Sequence, residues 1–271
     1  MRYADQHIHS ACSPDSETPM LDMVLAARDR GMAAVCFTDH VEMDDSRTGR
    51  PDPDWDRQWP RMLSAYRTLA AAPPPGIEVR LGAELGCPNH QPELAARIAA
   101  QPELDFILGS MHNLRNVTDF YYYPYASEEE CRELNRLYLA ELTEIAALDC
   151  FDVMAHIAYT CRYMSRAGFR TKIDTEHNGG ELRALLGRLI EKGKGIEINT
   201  SGMRQGNGPY PDEDILKLYR ELGGEIVTMG SDGHRPEDAG ALIPEAAELL
   251  RSLGFRYYTE FVKRQPVFYP L

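Results

Sequence analysis

Short apolar runs alternate with longer amphipathic stretches along the chain. Residues 3–7, 33–38, 78–84, 106–110, 153–155, 195–199 and 225–229 carry β-branched or apolar side chains bounded by Gly, Asp or Asn, a pattern that predicts seven short strands. Between them, residues 18–30, 55–72, 92–100, 128–148, 175–192, 212–222 and 236–253 place apolar residues at i, i+3 and i+4, which predicts helices. Gly31, Gly193, Gly223 and Gly254 supply helix stops. Pro73-Pro74-Pro75-Gly76 reads as a loop closing a helix rather than as a linker. Strand and helix alternate without a repeat or a low-complexity tract. The expectation is an α/β fold, a closed or nearly closed parallel barrel formed by residues 1–271 as one domain. An open doubly wound sheet is the alternative, but the GxGxxG fingerprint after the first strand is missing.

The histidines change this picture from architecture to chemistry. Six of the eight, His7, His9, His40, His112, His156 and His234, fall at or just beyond the ends of expected strands. The third strand ends in a carboxylate, Glu84, and the seventh runs into Ser231-Asp232-Gly233-His234. In an α/β barrel all of these ends meet at one rim. Imidazoles and carboxylates gathered there, with no thiolate pair, suit divalent Zn, Mn or Fe. His7 and His9 alternate along an extended segment and point to the same side, so both reach one ion.

Composition narrows the substrate. Lys and Arg number 29 against 42 Asp and Glu, a net charge of −13. This argues against binding a nucleic-acid backbone or an acidic membrane, yet it leaves room for a small anionic substrate where bound metal concentrates positive charge. No apolar run approaches the roughly 20 residues of a membrane span, and residues 1–7 lack the apolar stretch of a signal peptide. The six cysteines show no CxxC pair. They read as free thiols in a reducing, cytoplasmic setting, with Cys12, Cys87 and Cys161 as packing residues near the rim.

These residues resemble a known family. His7-x-His9-Ser10, Thr38-Asp39-His40, Gly82-x-Glu84, Gly109-Ser110-x-His112, His156 and Gly230-Ser231-Asp232-x-His234 are similar to the motifs of the PHP (polymerase and histidinol phosphatase) family. Ser13-Pro14-Asp15-Ser16 and the block Glu197-Ile198-Asn199-Thr200-Ser201-Gly202-Met203-Arg204, followed by Tyr210-Pro211, look most like its monofunctional histidinol-phosphate phosphatases. The resemblance implies a distorted (β/α)₇ barrel, TIM-like, with three metal ions at the C-terminal ends of its strands. Carried over by position, His7, His9, Glu84 and Asp232 hold the first ion. Glu84 bridges to a second, held also by His112 and His156, and Asp15, His40 and His234 hold the third. Ser13, Ser16 and Glu17 are the competing donors in the Asp15 loop.

What the resemblance implies for chemistry is hydrolysis of a phosphomonoester without a covalent phosphoenzyme. For the phosphate, Arg162 and Arg204 are the expected guanidinium clamps on rim loops. Asn199, Tyr159 and Tyr163 are candidates for orienting substrate, and Asp119 or Glu42 for an acidic wall facing an ammonium group. His90 and the aromatic run 120–125 are candidates to line the mouth, whereas His177 is expected to face solvent. Other readings are a phosphatase for a nucleotide or sugar phosphate, an exonuclease or polymerase-associated module, and a non-catalytic metal binder. Acidic charge disfavours the exonuclease, and the presence of every ligand type disfavours the last.

Overall fold

The computed structural model describes residues 2–53 and 55–271. The first half runs β1 (Ala4–Ile8), α1 (Met20–Asp29), β2 (Ala34–Phe37), β3 (His40–Glu42), α2 (Trp55–Ala71), β4 (Glu78–Gly86), α3 (Pro92–Ala99), β5 (Phe106–Ser110) and α4 (Glu128–Ala146). The second half runs β6 (Val153–Met154), α5 (Tyr159–Arg166), α6 (Thr175–Glu191), β7 (Gly195–Asn199), α7 (Ser201–Arg204), α8 (Glu213–Glu221), β8 (Val227–Gly230) and α9 (Ile243–Ser252), then the hairpin β9 (Tyr257–Val262) and β10 (Gln265–Pro270).

The strands pair in parallel in the order β1-β2-β4-β5-β6-β7-β8. Short β3 lies beyond β2 and pairs β4 with His40 beside Glu84. The two ends of the sheet meet. Asp232 N donates to His7 O (2.8 Å) and His9 N to Gly233 O (2.9 Å). Asp5, wholly buried, accepts from Ser231 N (2.9 Å), Ser231 Oγ (2.5 Å) and Gly240 N (2.8 Å). The sheet is thereby nearly closed into the distorted, TIM-like (β/α)₇ barrel expected from the alternation of elements.

Strand alternation decides which side chains face inward. Leu81, Ala83 and Leu85 of β4 and Ile196 and Ile198 of β7 join the main apolar core, so Glu84, Glu197 and Asn199 take the opposite face. A separate apolar cluster, Cys36, Phe106, Leu108, Val153, Ala155 and Phe261, fills the interior near the strand N-termini. Phe261 comes from the hairpin and stacks on Phe106 at 5.0 Å; full burial of such a side chain contributes about 1.5–3 kcal/mol. Glu260 fixes the hairpin by accepting from Arg2 Nε (2.8 Å) and Arg80 Nη1 (2.5 Å).

Two departures from the expected elements have local causes. The helix expected over 236–253 begins only at Ile243, because Gly240 (φ +70°) gives its N–H to Asp5 and Leu242 (φ +60°) is left-handed. The unexpected hairpin turns at Lys263 and Arg264, both at positive φ (50° and 63°). That turn normally selects Asn-Gly. Among the described residues, no helix is long and apolar enough to cross a membrane.

Candidate metal centre at the barrel mouth

Glu84 is the hub of the strand ends. It is fully buried, with Oε1 2.8 Å from His156 Nε2 and 3.2 Å from His112 Nε2, and Oε2 3.0 Å from His40 Nδ1 and 3.3 Å from His7 Nε2. His7 and His9 turn their Nε2 atoms to within 3.0 Å of each other. Asp232 Oδ1 faces both, 3.7 Å from His7 and 3.4 Å from His9. Farther out, Asp15 Oδ2 stands 3.0 Å from His234 Nε2 and 3.5 Å from His40 Nε2. Of the loop donors, Asp15 is brought to the His40 and His234 rings, whereas Ser13 Oγ donates to Asp39 and Ser16 Oγ to His234 O (2.8 Å).

Residues behind the rings set which nitrogen faces the centre. His7 Nδ1 donates to Glu197 Oε1 (2.7 Å) and His112 Nδ1 to Glu42 Oε1 (2.8 Å). Ser13 Oγ spends its proton on Asp39 Oδ1 (2.8 Å), so His9 Nδ1 is the donor to Ser13 Oγ (3.1 Å). His234 Nδ1 donates to the Asp232 carbonyl (3.1 Å). In all four rings this leaves the Nε2 lone pair turned inward, the arrangement carboxylates and carbonyls impose on metal-binding histidines. Two glycines permit it. A Cβ on Gly230 would lie 2.1 Å from Glu197 Oε1, and one on Gly86 would lie 1.8 Å from Glu42 Oε2.

The donor set fits divalent cations. Buried Glu84 Oε2, His40 Nδ1 and His234 Nε2 make no hydrogen bond, although opposite charges lie close by. Leaving buried polar atoms without a hydrogen bond is costly, and a cation between them would satisfy them. The triads His7–His9–Asp232, His7–Glu84–His156, His40–Glu84–His112 and His9–His40–His234 each bring ligand atoms within 4.8 Å.

Electrostatics point the same way. Burial depresses the pKa values of His7, His40 and His112, but nearby Glu197, Glu84, Asp15 and Glu42 outweigh it and hold all three well above the ordinary imidazole value. Burial and the neighbouring His234 and His40 push His9 well below it. For Glu84, burial is overcome by His7, His40 and His112, which keep the carboxyl well below its usual range. A field that favours imidazolium here favours a bound cation equally.

The expected substrate residues divide. Arg162, on α5, is buried; it donates to Ser201 Oγ and to Asp232 Oδ2 (3.0 Å), while its Nε has no partner. The Tyr159 and Tyr210 rings pack on its guanidinium at 5.1 and 5.4 Å. Tyr159 also stacks on His156 at 4.7 Å, and its hydroxyl meets that of Tyr163 at 2.7 Å. Asp119 lies half-buried, accepting from Tyr121 N (2.7 Å), and burial pushes its pKa up to about 6.

Arg204 and Asn199 differ from expectation. The guanidinium of Arg204 contacts the Ser231 carbonyl, the Asp232 carbonyl (3.4 Å) and Asp238 (3.1 Å), so it holds the 231–232 loop. Asn199 Oδ1 accepts from Ser201 N (3.0 Å) and its Nδ2 donates to Glu197 Oε2 (3.1 Å). Glu42 lies behind His112 rather than forming a wall. His90 is buried away from the mouth, between Asp44 and Glu141, and His177 is exposed beside Asp174. Of the aromatic run, Phe120 is core and Tyr121 is exposed.

Sequence reasoning overlooks Glu197 and Asp39 as ring-orienting acids. The signal for Glu197 is its place between Ile196 and Ile198, a carboxylate on the inward register of a buried strand.

An α/β barrel whose strand C-termini converge histidines and carboxylates on one buried acid presents a candidate metal centre. The chain belongs to the PHP family: the model of the PHP domain matches residues 5–201. A histidinol-phosphatase of Lactococcus lactis is 27% identical over 270 residues, covering 96% of this chain and 95% of that protein. A Thermotoga maritima protein named "Probable histidinol-phosphatase" is 26% identical over 253 residues, 93% of each. Among solved structures, the histidinol phosphate phosphatase of L. lactis, complexed with Zn, L-histidinol and phosphate, superposes with a TM-score of 0.81 at 24% identity, covering 98% and 99% of the two chains. That likeness establishes the shared fold.

Proposed function

We propose that this protein is a metal-dependent phosphomonoesterase that hydrolyses L-histidinol phosphate to L-histidinol and phosphate, a step of histidine biosynthesis, in the cytoplasm. The observation that carries the reading is Glu84, one buried carboxylate within 3.3 Å of four imidazoles. The substrate assignment is supported by the histidinol-phosphatase relatives, which match nearly the whole chain. One phosphoesterase domain spans 1–271 in this reading.

His7, His9, Glu84 and Asp232 would hold one ion, Glu84, His112 and His156 a second, and Asp15, His40 and His234 a third, with Zn, Mn or Fe as the candidates. Such ions, when bound, supply Lewis acidity toward a phosphoryl group and make water more acidic. The side chains do the rest. Arg162 turns its unpartnered Nε and planar fork to the phosphate oxygens. Asp119 receives the substrate ammonium, and Tyr159 and Tyr163 form a wall that orients the organic portion and limits water. Arg204 and Asn199 act through what they hold, the Asp232 loop and Glu197.

The experiment is phosphate release by the metal-reconstituted protein from a panel of phosphomonoesters. L-Histidinol phosphate is expected to give the highest kcat/KM. Turnover confined to a nucleotide or sugar phosphate would replace the substrate while keeping the reaction, and no turnover of any member would reject the enzyme.

A further inference from the structure

Besides the groups built on Glu84 and the mouth histidines, the described residues hold one more set of donors within 4.8 Å of each other, Asp44, Cys87 and His90. Asp44 follows β3, and Cys87 and His90 lie in the loop from β4 to α3. His90 Nδ1 is 2.5 Å from Asp44 Oδ2, and its Nε2 is 2.7 Å from Glu141 Oε2 on α4. Asn113 joins the other two: its Nδ2 donates to Asp44 Oδ2 (3.0 Å), and its Oδ1 lies 3.3 Å from Cys87 Sγ. Asp44 is 4% exposed and Cys87 not at all, yet Asp44 Oδ1 has no hydrogen-bond partner. An orphaned carboxylate oxygen in a buried site calls for a cation or a donor.

We propose that Asp44, Cys87 and His90 form a closed site for one thiophilic divalent cation of the zinc type, separate from the ions at the barrel mouth. One sulfur, one nitrogen and one oxygen donor make a familiar zinc set. Glu141 accepts the Nε2 proton of His90, so Nδ1, which donates to Asp44 Oδ2 in the metal-free chain, is the nitrogen that becomes a ligand once its proton leaves. Glu197 does the same for His7 with the nitrogens exchanged. The three donors leave one tetrahedral position, and Asn113 Oδ1 is placed to fill it. On binding, the thiol proton of Cys87 and the Nδ1 proton of the His90 imidazolium pass to solvent, with no change of oxidation state. The ion would tie the strand-end loops after β3 and β4 to each other beside Asn113.

Cobalt(II) separates this site from the other, because the mouth offers only nitrogen and oxygen ligands. The full chain, stripped with chelator and refilled with cobalt, is expected to show a thiolate-to-cobalt charge-transfer band in the near ultraviolet. Cys87→Ser should lose that band and about one metal equivalent per chain while keeping phosphatase activity on the best substrate. Cys12→Ser, which removes the thiol beside the Asp15 loop, should keep the band. X-ray absorption of the zinc-loaded wild-type chain should show a sulfur scatterer, a readout that needs no variant to fold. Absence of both the band and the sulfur scatterer, or a band that survives Cys87→Ser, would overturn the proposal, and neither result depends on which phosphate the mouth hydrolyses.

Discussion

Glu197 accepts the Nδ1 proton of His7 at 2.7 Å through one oxygen, and takes the main-chain amide of His156 at 2.8 Å through the other. One carboxylate thus sets a ring from β1 and the backbone after β6, and an amide, with a single acceptor oxygen, can keep only one of the two contacts. Glu197→Gln is expected to weaken metal binding by about 10- to 100-fold, the usual cost of losing the group behind a ligating histidine. Chelator competition measures it, and affinity equal to wild type would leave Glu197 as ordinary packing.

Glu84→Ala should be the most damaging single substitution at the mouth. Because this carboxylate reaches rings on both sides, its removal is expected to release more than one ion, whereas His156→Ala removes one ligand from one position. Metal content and kcat are to be compared across the two variants. Equal losses would deny Glu84 a bridging role.

Arg162 and Arg204 should separate by what they change. Arg162→Ala is expected to lower kcat by about 10²-fold, the scale seen when an oriented electrostatic donor is removed, and Arg162→Lys should restore only part of it because a point charge lacks the fork. Arg204→Ala frees the 231–232 carbonyls and should lower Tm and metal retention together. Steady-state kinetics beside thermal melts checks both, and wild-type kcat in Arg162→Ala would leave phosphate binding to other groups.

Asp119 makes a pH prediction for the metal-free protein. Burial raises its pKa from 3.8 to about 6, so the folded chain holds this proton more tightly than the unfolded chain. Its contribution to stability is present below 3.8 and disappears as pH rises through about 6. Asp119→Asn should therefore flatten the difference in stability between pH 4 and pH 7 relative to wild type. Denaturant unfolding of chelated protein at both pH values reads it; identical pH slopes would mean that Asp119 titrates normally.

Removal of metal should also unfold the protein earlier. An ion present at 100 times its Kd stabilises by about 2.7 kcal/mol per independent site. Chelation is expected to abolish phosphate release and lower Tm, with both restored by Zn, Mn or Fe. A Tm unmoved by chelation would mean that the folded mouth binds no ion tightly.

Several features were legible because they are local. The strands of the barrel are short apolar runs cut off by Gly, Asp or Asn, and the histidines sit at their ends in the sequence itself. The pairing of Glu197 with His7 is not local: it spans 190 positions and exists only once β7 and β1 face one barrel interior. Helix α5 escapes notice because its buried face carries Tyr159, Thr160, Arg162 and Tyr163, polar groups whose partners are one another, Asn135, Ser201 and Asp232. Arg204 looks like a clamp by position alone, and only the loop carbonyls around it reveal what it holds.

The seam that Asp5 makes with Ser231 joins residues 226 positions apart. On a ribosome adding roughly 5–20 residues per second, the segment bearing His7 and His9 waits on the order of tens of seconds for the one bearing Asp232 and His234. During that interval the early histidines have Glu84 but neither Asp232 nor a closed wall around them. Under the proposed function, ion capture at the mouth would therefore be a late event in the life of the nascent chain, and a cell short of metal would accumulate finished but empty barrels rather than stalled fragments.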